Sequence, residues 1–497
     1  MAVRAPDFRA ELEWIHTGGR RLALADFRGR VLLLDFWTYG CINCLHLIPE
    51  LHEVERLFPA DELAVVGVHS GKFINERETA NVARACERLG VRHPVVNDRQ
   101  FRTWREYAVR AWPTLVVVSP DGYVLHTRAG EITAERLAEI LHPVVEDARA
   151  AGKLGAAAPV PVEPQSAPPA PGVLRFPAKV HAAPDGRLFV ADTGHHRVLE
   201  VEVAADGASG RVLRAFGSGR AGWADGPAGE AELRSPYGLA AAGGTLYVAD
   251  TDNHLVRAVD LSDGGVETVA GTGVQARRLQ EGGPAREVPL NSPWDLLWRD
   301  GALYVAMAGP HQLWRIDPAA GIAEPYVGSG AEELYDAPLA MAALAQPSGL
   351  ATDGERIFFA DPEASAVRWA VPDGETATVV GTGLFDFGDR DGAGDEARLQ
   401  HAQGLAWSPA ERSLLVADTY NHRVKRVDPA TREARALAGS GAPGLADGPP
   451  ELARFWEPGG ITVAPDGTRA WVADTNNHAL RTIDLRTGRV DTVHLRE

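Results

Sequence analysis

Six times between residues 188 and 484 the chain returns to one short pattern, and this periodicity constrains its fold more than any other feature. Leu246–Asp260 (LYVADTDNHLVRAVD), Leu414–Asp428 (LLVADTYNHRVKRVD) and Ala470–Asp484 (AWVADTNNHALRTID) share one reading: an apolar strand, Ala-Asp-Thr, a polar turn with Asn-His, then an alternating strand. Weaker copies begin at Leu188 (LFVADTGHHRVLEVE), Leu303 (LYVAMAGPHQLWRID) and Ile357 (IFFADPEASAVRWAV). The equivalent positions are Asp192, Asp250, Met307, Asp361, Asp418 and Asp474, spaced by 58, 57, 54, 57 and 56 residues. A fixed period of this size marks an architecture in which each unit buries its apolar face only against a neighbour. Each unit also holds an upstream segment such as Gly238–Ala242 and a downstream one such as Val266–Ala270, or about four short strands per repeat. That strand density, with glycine-rich punctuation, predicts a radial β-propeller rather than a sandwich. Six units predict six blades.

The Asn-His step, which appears as Asn253-His254-Leu255 in the second copy, resembles the NHL repeat, and the resemblance implies a six-bladed NHL propeller over residues 173–497. The repeated aspartates are expected to be structural. A strand-end carboxylate caps turn amides, and a His or Arg a few residues later closes the same network. Histidine-held zinc, as in the NHL-like peptide-amidating lyases, would need ligands converging on the central channel, and no such separate cluster stands out. Longer loops open with Gly217-Ser218-Gly219, Gly271-Thr272-Gly273, Gly328-Ser329-Gly330, Gly381-Thr382-Gly383 and Gly439-Ser440-Gly441. A dinucleotide fingerprint needs a following helix, whereas here a polar loop leads to the next strand, so these glycines are expected to serve turns. Recurring at one point of the repeat, the loops should share one face, acidic and rimmed by Trp223, Tyr237, Trp294, Tyr335, Phe385 and Trp456. Such a face suits protein binding or plain packing between blades.

Upstream of the repeats, Ala148–Gly172 consists mainly of Ala, Gly, Pro and Val, the composition of a semi-extended connector. It divides the chain into an expected N-terminal domain, 1–148, a linker, 149–172, and the propeller, 173–497. Charge divides with it. Of a net −17, residues 173–497 carry 30 Lys and Arg against 45 Asp and Glu, or −15. That acidity repels phosphate backbones and anionic membrane surfaces, so neither nucleic acid nor membrane is an expected partner.

Three cysteines, Cys41, Cys44 and Cys86, are too few for a disulfide-stapled scaffold. Met1–Trp14 carries five charges and lacks the apolar core of a signal peptide, and Val31–Trp37 is too short to cross a bilayer and is interrupted by Asp35. A soluble cytoplasmic protein is expected.

Val31–Trp37 (VLLLDFW) reads as a buried strand, followed by Cys41-Ile42-Asn43-Cys44 and a helical pattern of Leu45, Ile48, Leu51, Val54 and Leu57. This order places the first thiol at unpaired N–H groups and the positive end of a helix dipole, which stabilises a thiolate. The second thiol lies one turn along, near enough to close a disulfide. Zinc binding would need two further ligands, and helix geometry disperses the nearby His46 and His52. Cys86, among Val82, Ala85 and Leu89, reads as a core thiol.

These residues resemble a thioredoxin-like domain of the thiol-disulfide branch. Asp35 stands at the family's buried acid position, Trp37 at a nearby aromatic one, Pro49 at the proline of the active-site helix, and Ala111-Trp112-Pro113-Thr114 at the cis-proline loop. The resemblance implies Cys41 as attacking thiolate, Cys44 as resolving thiol, Asp35 as the acid that takes the Cys44 proton, and Pro113 as part of the catalytic set. Trp37, Trp112 and Thr114 would contact the substrate strand. For Asp35 the plainer alternative is a polar strand residue, and for the two tryptophans it is packing. Ile-Asn replaces the Gly-Pro usual between thioredoxin cysteines, which alters the turn. Thioredoxin-like domain followed by NHL propeller is the order of the NHL repeat-containing protein 2 group, which the chain resembles over nearly its whole length.

Two functions follow as expectations. One is a thiol-disulfide oxidoreductase that docks a protein client through the thiol centre and the propeller loop face. The other is a non-catalytic scaffold presenting a composite interaction surface. Neither requires a cofactor or a metal.

Overall fold

The computed structural model describes residues 3–155, 172–372 and 374–497. The chain divides into two compact units, Met1–Pro169 and Ala170–Glu497. Most of the expected linker, 156–171, lies outside the described residues.

The N-terminal unit runs β1 (Val3–Arg4), β2 (Glu13–Ile15), β3 (Val31–Trp37), α1 (Ile42–Leu57), β4 (Leu63–His69), α2 (Thr79–Leu89), β5 (Val95–Asn97), α3 (Arg102–Glu106), β6 (Thr114–Val118), β7 (Tyr123–Ala129) and α4 (Ala134–Ala150). Its sheet has the order β1-β7-β6-β3-β4-β5-β2. β3 is central, parallel to β4 and antiparallel to β6. An apolar run covered on both faces explains why all seven of its residues are buried. Successive side chains alternate between two cores. Leu32, Leu34 and Phe36 meet Phe8, Trp14, Phe27, Trp104 and Tyr107, whereas Val31 and Leu33 meet Leu47, Leu51 and Val54 of α1 and Leu137 and Leu141 of α4. Asp35 and Trp37 share the parity of the second set, the face that α1 covers. Thr133 caps α4 by accepting the Arg136 amide, and Glu50 of α1 accepts the Ala134 amide at 2.7 Å. Packing continues past α4, where Leu154 joins the α1/α4 core and the Gly155 amide donates to Gly29.

The C-terminal unit is all β and propeller-like. Antiparallel four-stranded sets recur, as in Pro236–Ala242, Thr245–Asp250, Leu255–Asp260 and Val266–Ala270. Two sets carry an added short strand, Gly283–Pro284 or Gly392–Ala393. The first and last sets merge into one eight-stranded sheet, because Ser209–Phe216 pairs in parallel with Val490–Arg496. That pairing covers two outer edges that would otherwise stand open.

The repeated residues turn out to be joints between repeats as well as within them. Asp250, Asp361, Asp418 and Asp474 are fully buried. Each accepts a backbone amide from the incoming loop, of Arg234, Ala345, Gln400 and Trp456, at 2.6–2.8 Å. The other oxygen takes the Arg or Lys seven residues on: Arg257 at 2.7 Å, Arg368 and Arg481 at 2.8 Å, Lys425 at 3.8 Å. Asn253, Asn421 and Asn477 donate to the same oxygen. The capping of turn amides expected of these aspartates is therefore a bond to a loop amide 16 to 18 residues upstream.

The histidine of the motif does a different job. Its backbone is left-handed, with φ of 53° to 55° at His196, His254, His311, His422 and His478, and its Nδ1 accepts an amide from the next repeat. The donors are Ser235, Ser292, Gln346, Glu457 and, for His478, Phe176 of the first repeat, at 3.0–3.2 Å. In the degraded fourth copy the Ser365 hydroxyl takes this place, accepting the His401 amide at 3.1 Å. The last repeat is thus tied to the first as successive repeats are tied to each other. Across the middle, Lys179 donates to the carbonyls of Ser348 (3.0 Å) and Gln403 (2.7 Å) and pairs with Asp295 at 3.2 Å.

Candidate active site at the thiol pair

β3 delivers the chain through Thr38–Gly40 to Cys41, which stands as N-cap of α1. The Cys41 carbonyl accepts the amides of Cys44 (3.0 Å) and Leu45 (3.1 Å), while no side chain caps the helix. Cys41 thus stands at the end of α1 where the helix dipole is positive. No disulfide joins Cys41, Cys44 or Cys86 among the described residues. The first two are both buried, Cys41 at 5% exposure and Cys44 at none. Burial first, then the hydrogen bond with Cys41 and the nearby charges of Cys41 and Asp35, hold the Cys44 thiol well above its ordinary value.

Asp35 is buried on the same face of β3, and burial raises its carboxyl to about 8. Its Oδ1 has no hydrogen-bond partner among the described residues. Trp37 closes the end of the strand. Its indole nitrogen leans over Gly67, where a Cβ would stand 2.8 Å from it, so the tryptophan fits only because that position has no side chain. Beside it His69, the register partner of Trp37, is fully buried, meets the Trp37 ring edge-on at 5.2 Å and stacks on Tyr39 at 5.4 Å. Burial lowers it to about 3, so its imidazole is neutral.

Thr114 pairs with Phe36 across β6 and β3, which sets the start of β6 beside the end of β3 that bears the thiols. The Trp112–Pro113 peptide bond is cis. Trp112 donates its indole N–H to the Ser70 carbonyl at 3.0 Å, and the Lys72 ammonium lies 5.2 Å from its ring. Thr114 is buried, with its hydroxyl donating to Ala111 at 2.7 Å, and the Pro113 carbonyl accepts the Gly130 amide at 2.9 Å. The hydroxyl is thus engaged within its own loop. Cys86 lies fully buried on α2, its thiol pushed up by burial. His46 pairs with Glu131 at 2.8 Å, and no group of three or more His, Cys, Asp or Glu with metal-holding geometry occurs among the described residues.

Sequence reasoning missed the brace under the Thr38–Gly40 turn. Glu76 is fully buried, and its carboxylate accepts the amide of Gly40 at 2.8 Å and that of Phe73 at 3.0 Å. Asn75 donates to the Tyr39 hydroxyl at 3.1 Å and accepts from Asn81 at 2.6 Å. No short-range pattern marks this glutamate, because its partner is 36 residues away. Glu76→Gln places an amide group against one of two backbone donors and is expected to cost about 1–3 kcal/mol. Faster hydrogen exchange at Gly40 and faster alkylation of Cys41 would register the loosened turn; unchanged rates would show that the brace is dispensable.

Known proteins group this arrangement. A thioredoxin-like family model matches residues 29–124 and an NHL repeat model residues 174–200. Sequence identity to NHL repeat-containing protein 2 of Gallus gallus is 39%, over 98% of this chain and 70% of that protein. The chain belongs to the NHL repeat-containing protein 2 family. Outside vertebrates the family member is also similar to Protein SUPPRESSOR OF QUENCHING 1, chloroplastic, of Arabidopsis thaliana, at 36% identity over 98% of this chain and 47% of that protein. Its N-terminal unit is similar to thiol-disulfide oxidoreductase ResA of Geobacillus thermodenitrificans, at 29% identity over 28% of this chain and 75% of that protein. The thioredoxin-like unit of this NHL repeat-containing protein 2 family member therefore has thiol-disulfide oxidoreductase relatives. A chloroplastic relative means that similarity alone does not fix the compartment. Among the described residues no helix is long and apolar enough to cross a membrane.

Proposed function

We propose that the chain is a thiol-disulfide oxidoreductase whose NHL propeller docks the protein client. The carrying observation is the placing of two cysteines on the first turn of one helix beside a buried acid: Cys41 is the N-cap, and Cys44 is enclosed with Cys41 and Asp35 as its electrostatic neighbours. The Cys41 thiolate attacks a client disulfide, forming a mixed disulfide and releasing one client thiolate. The carboxylate form of Asp35, whose share grows as pH approaches about 8, takes the Cys44 proton, and Cys44 attacks the Cys41 sulfur, closing Cys41–Cys44 and releasing the second client thiolate, so the client gains two electrons and the protein loses two. The same steps reversed oxidise a dithiol. Trp37, Trp112, Pro113 and Thr114 border the substrate strand; because the Thr114 hydroxyl is engaged, Thr114 would act through its backbone.

The division into 1–148, 149–172 and 173–497 belongs to this reading, as does a count of six blades. Six sets of strands, with the bond from His478 to Phe176 repeating the bond between neighbours, support that count. Cytoplasmic residence is favoured by the low cysteine count, three in the chain. Low exposure of Cys41 itself favours a second reading, a scaffold with little turnover.

A trapping experiment separates the two. In Cys44→Ser, insulin is expected to stay attached to Cys41 as a mixed disulfide, and Cys41 should alkylate with a midpoint below the about 8.5 of a free thiol. Turnover of insulin by the parent protein no faster than by Cys41→Ser would remove the oxidoreductase and leave the scaffold.

A further inference from the structure

Five loops join successive strand sets of the C-terminal unit: 217–235, 271–292, 328–348, 381–403 and 439–457. In a meander of four antiparallel strands these connections and the Asn-His turns fall at the same end of each set, so the loops share one face. They carry eight of the ten exposed large apolar side chains found among the described residues of that unit, including Trp223, Leu279, Tyr335, Met341, Phe385 and Leu445. Single exposed apolar residues are ordinary on a protein surface; their concentration in one recurring element is not.

Neighbouring loops also touch. A Cβ on Gly273 would stand 2.4 Å from the Trp223 ring, and one on Gly330 would stand 2.6 Å from Leu279. In these two loops the second glycine of the Gly-Ser/Thr-Gly opening is the seat of the preceding loop's apolar side chain, which joins the first three loops. Charge on the rim is one-sided: the five loops hold 16 Asp and Glu against 8 Lys and Arg. Several of the aspartates are used up by the buried Arg and Lys ladder, as Asp225, Asp336 and Asp447 are. Glu230, Glu332, Glu333 and Glu396 remain exposed at the surface.

From the apolar rim and its acidic surround we infer that this face binds an extended protein segment in which Lys or Arg alternates with large apolar side chains. Aromatic and aliphatic anchors sit on the rim between glutamates that meet the cations. Like charge opposes a second copy of this face as the occupant. The inference rests on the docking role proposed above and supplies its chemistry.

The test uses the full chain and a short fluorescein-labelled peptide alternating Lys or Arg with Trp or Leu, followed by fluorescence anisotropy. Binding is expected, weakening as salt rises, and falling about tenfold in Trp223→Ser/Tyr335→Ser/Phe385→Ser, which keeps the charge and changes only exposed positions. Glu332→Lys/Glu333→Lys/Glu396→Lys should weaken it independently. Equal binding by either variant would overturn the inference. So would equal binding of a peptide with Glu for the basic residues or Ser for the apolar ones, no binding at all, or a parent dimer that the triple serine variant abolishes. Insulin reduction by the same proteins separates the two levels. It depends on Cys41 and not on the rim, so no peptide binding by the parent with turnover intact defeats only the rim, and peptide binding by the parent with no turnover defeats only the oxidoreductase.

Discussion

Asp35→Asn is expected to gain stability over the parent protein at about 1.4 kcal/mol per pH unit as pH rises from about 4 to about 8, roughly 6 kcal/mol in all. In the unfolded chain the carboxyl titrates at its ordinary 3.8, whereas in the folded chain burial holds it protonated to about 8. Across that interval the folded state binds one proton more than the unfolded state, so the parent loses stability as pH rises. The amide has nothing to titrate. His69 works in the opposite sense, because its folded value of about 3 lies below the ordinary 6.5 and its contribution is lost as pH falls through that window. It is present in both proteins and cancels in the comparison. The local probe is Cys86, fully buried in the N-terminal unit: its alkylation in the reduced proteins, resolved by mass, follows opening of that unit alone. A stability difference independent of pH would show that Asp35 is hydrated and ionised in the folded protein, and so not a carboxyl held protonated by burial.

Arg257→Met is expected to destabilise the C-terminal unit by about 3–5 kcal/mol, because removing one partner of a buried ion pair strands the other. The Arg257 side chain is fully buried, bonded to Asp250 and Asp225 at 2.7 Å and to the carbonyls of Glu232 and Ala224. Without it, Asp250 keeps only its bonds to Asn253 and the Arg234 amide, and its carboxyl, already raised to about 6 by burial, rises further. The loss should therefore be larger at pH 8 than at pH 5. Replacing both partners is milder. The third repeat has made that exchange itself: Met307 occupies the aspartate position and Trp314 the arginine position, with both buried in one apolar cluster, and Pro310 stands where the asparagine would be. Asp250→Met/Arg257→Met should accordingly show a coupling of about 1–3 kcal/mol against the sum of the single variants in denaturant unfolding. Additive losses would show that the pair contributes no more than two independent contacts.

Much of the candidate site was legible in the sequence because thiol chemistry depends on local order. Val31–Trp37, the turn and the helix beginning at Ile42 are contiguous, and the parity of Asp35 follows from strand periodicity. The repeats were legible for the same reason, since strand length and turn residues are local properties. The role of the motif histidine was not, because the amide it accepts belongs to another repeat. Nor was the fate of the Thr114 hydroxyl, a choice among rotamers that the surrounding loop decides.

By itself, the sequence determined the two kinds of unit, the pairing of Cys41 with Cys44 on one helix turn, the period of the repeats and the acidity of the rim. Tertiary structure decided which groups close the site and the ring: Glu76 under Gly40 across 36 residues, Lys179 on Gln403 across 224, His478 on Phe176 across 302. The physical reason is that a buried polar group must find a partner wherever folding brings one, and over such separations the partner is set by how whole elements pack, which no local pattern of residues records.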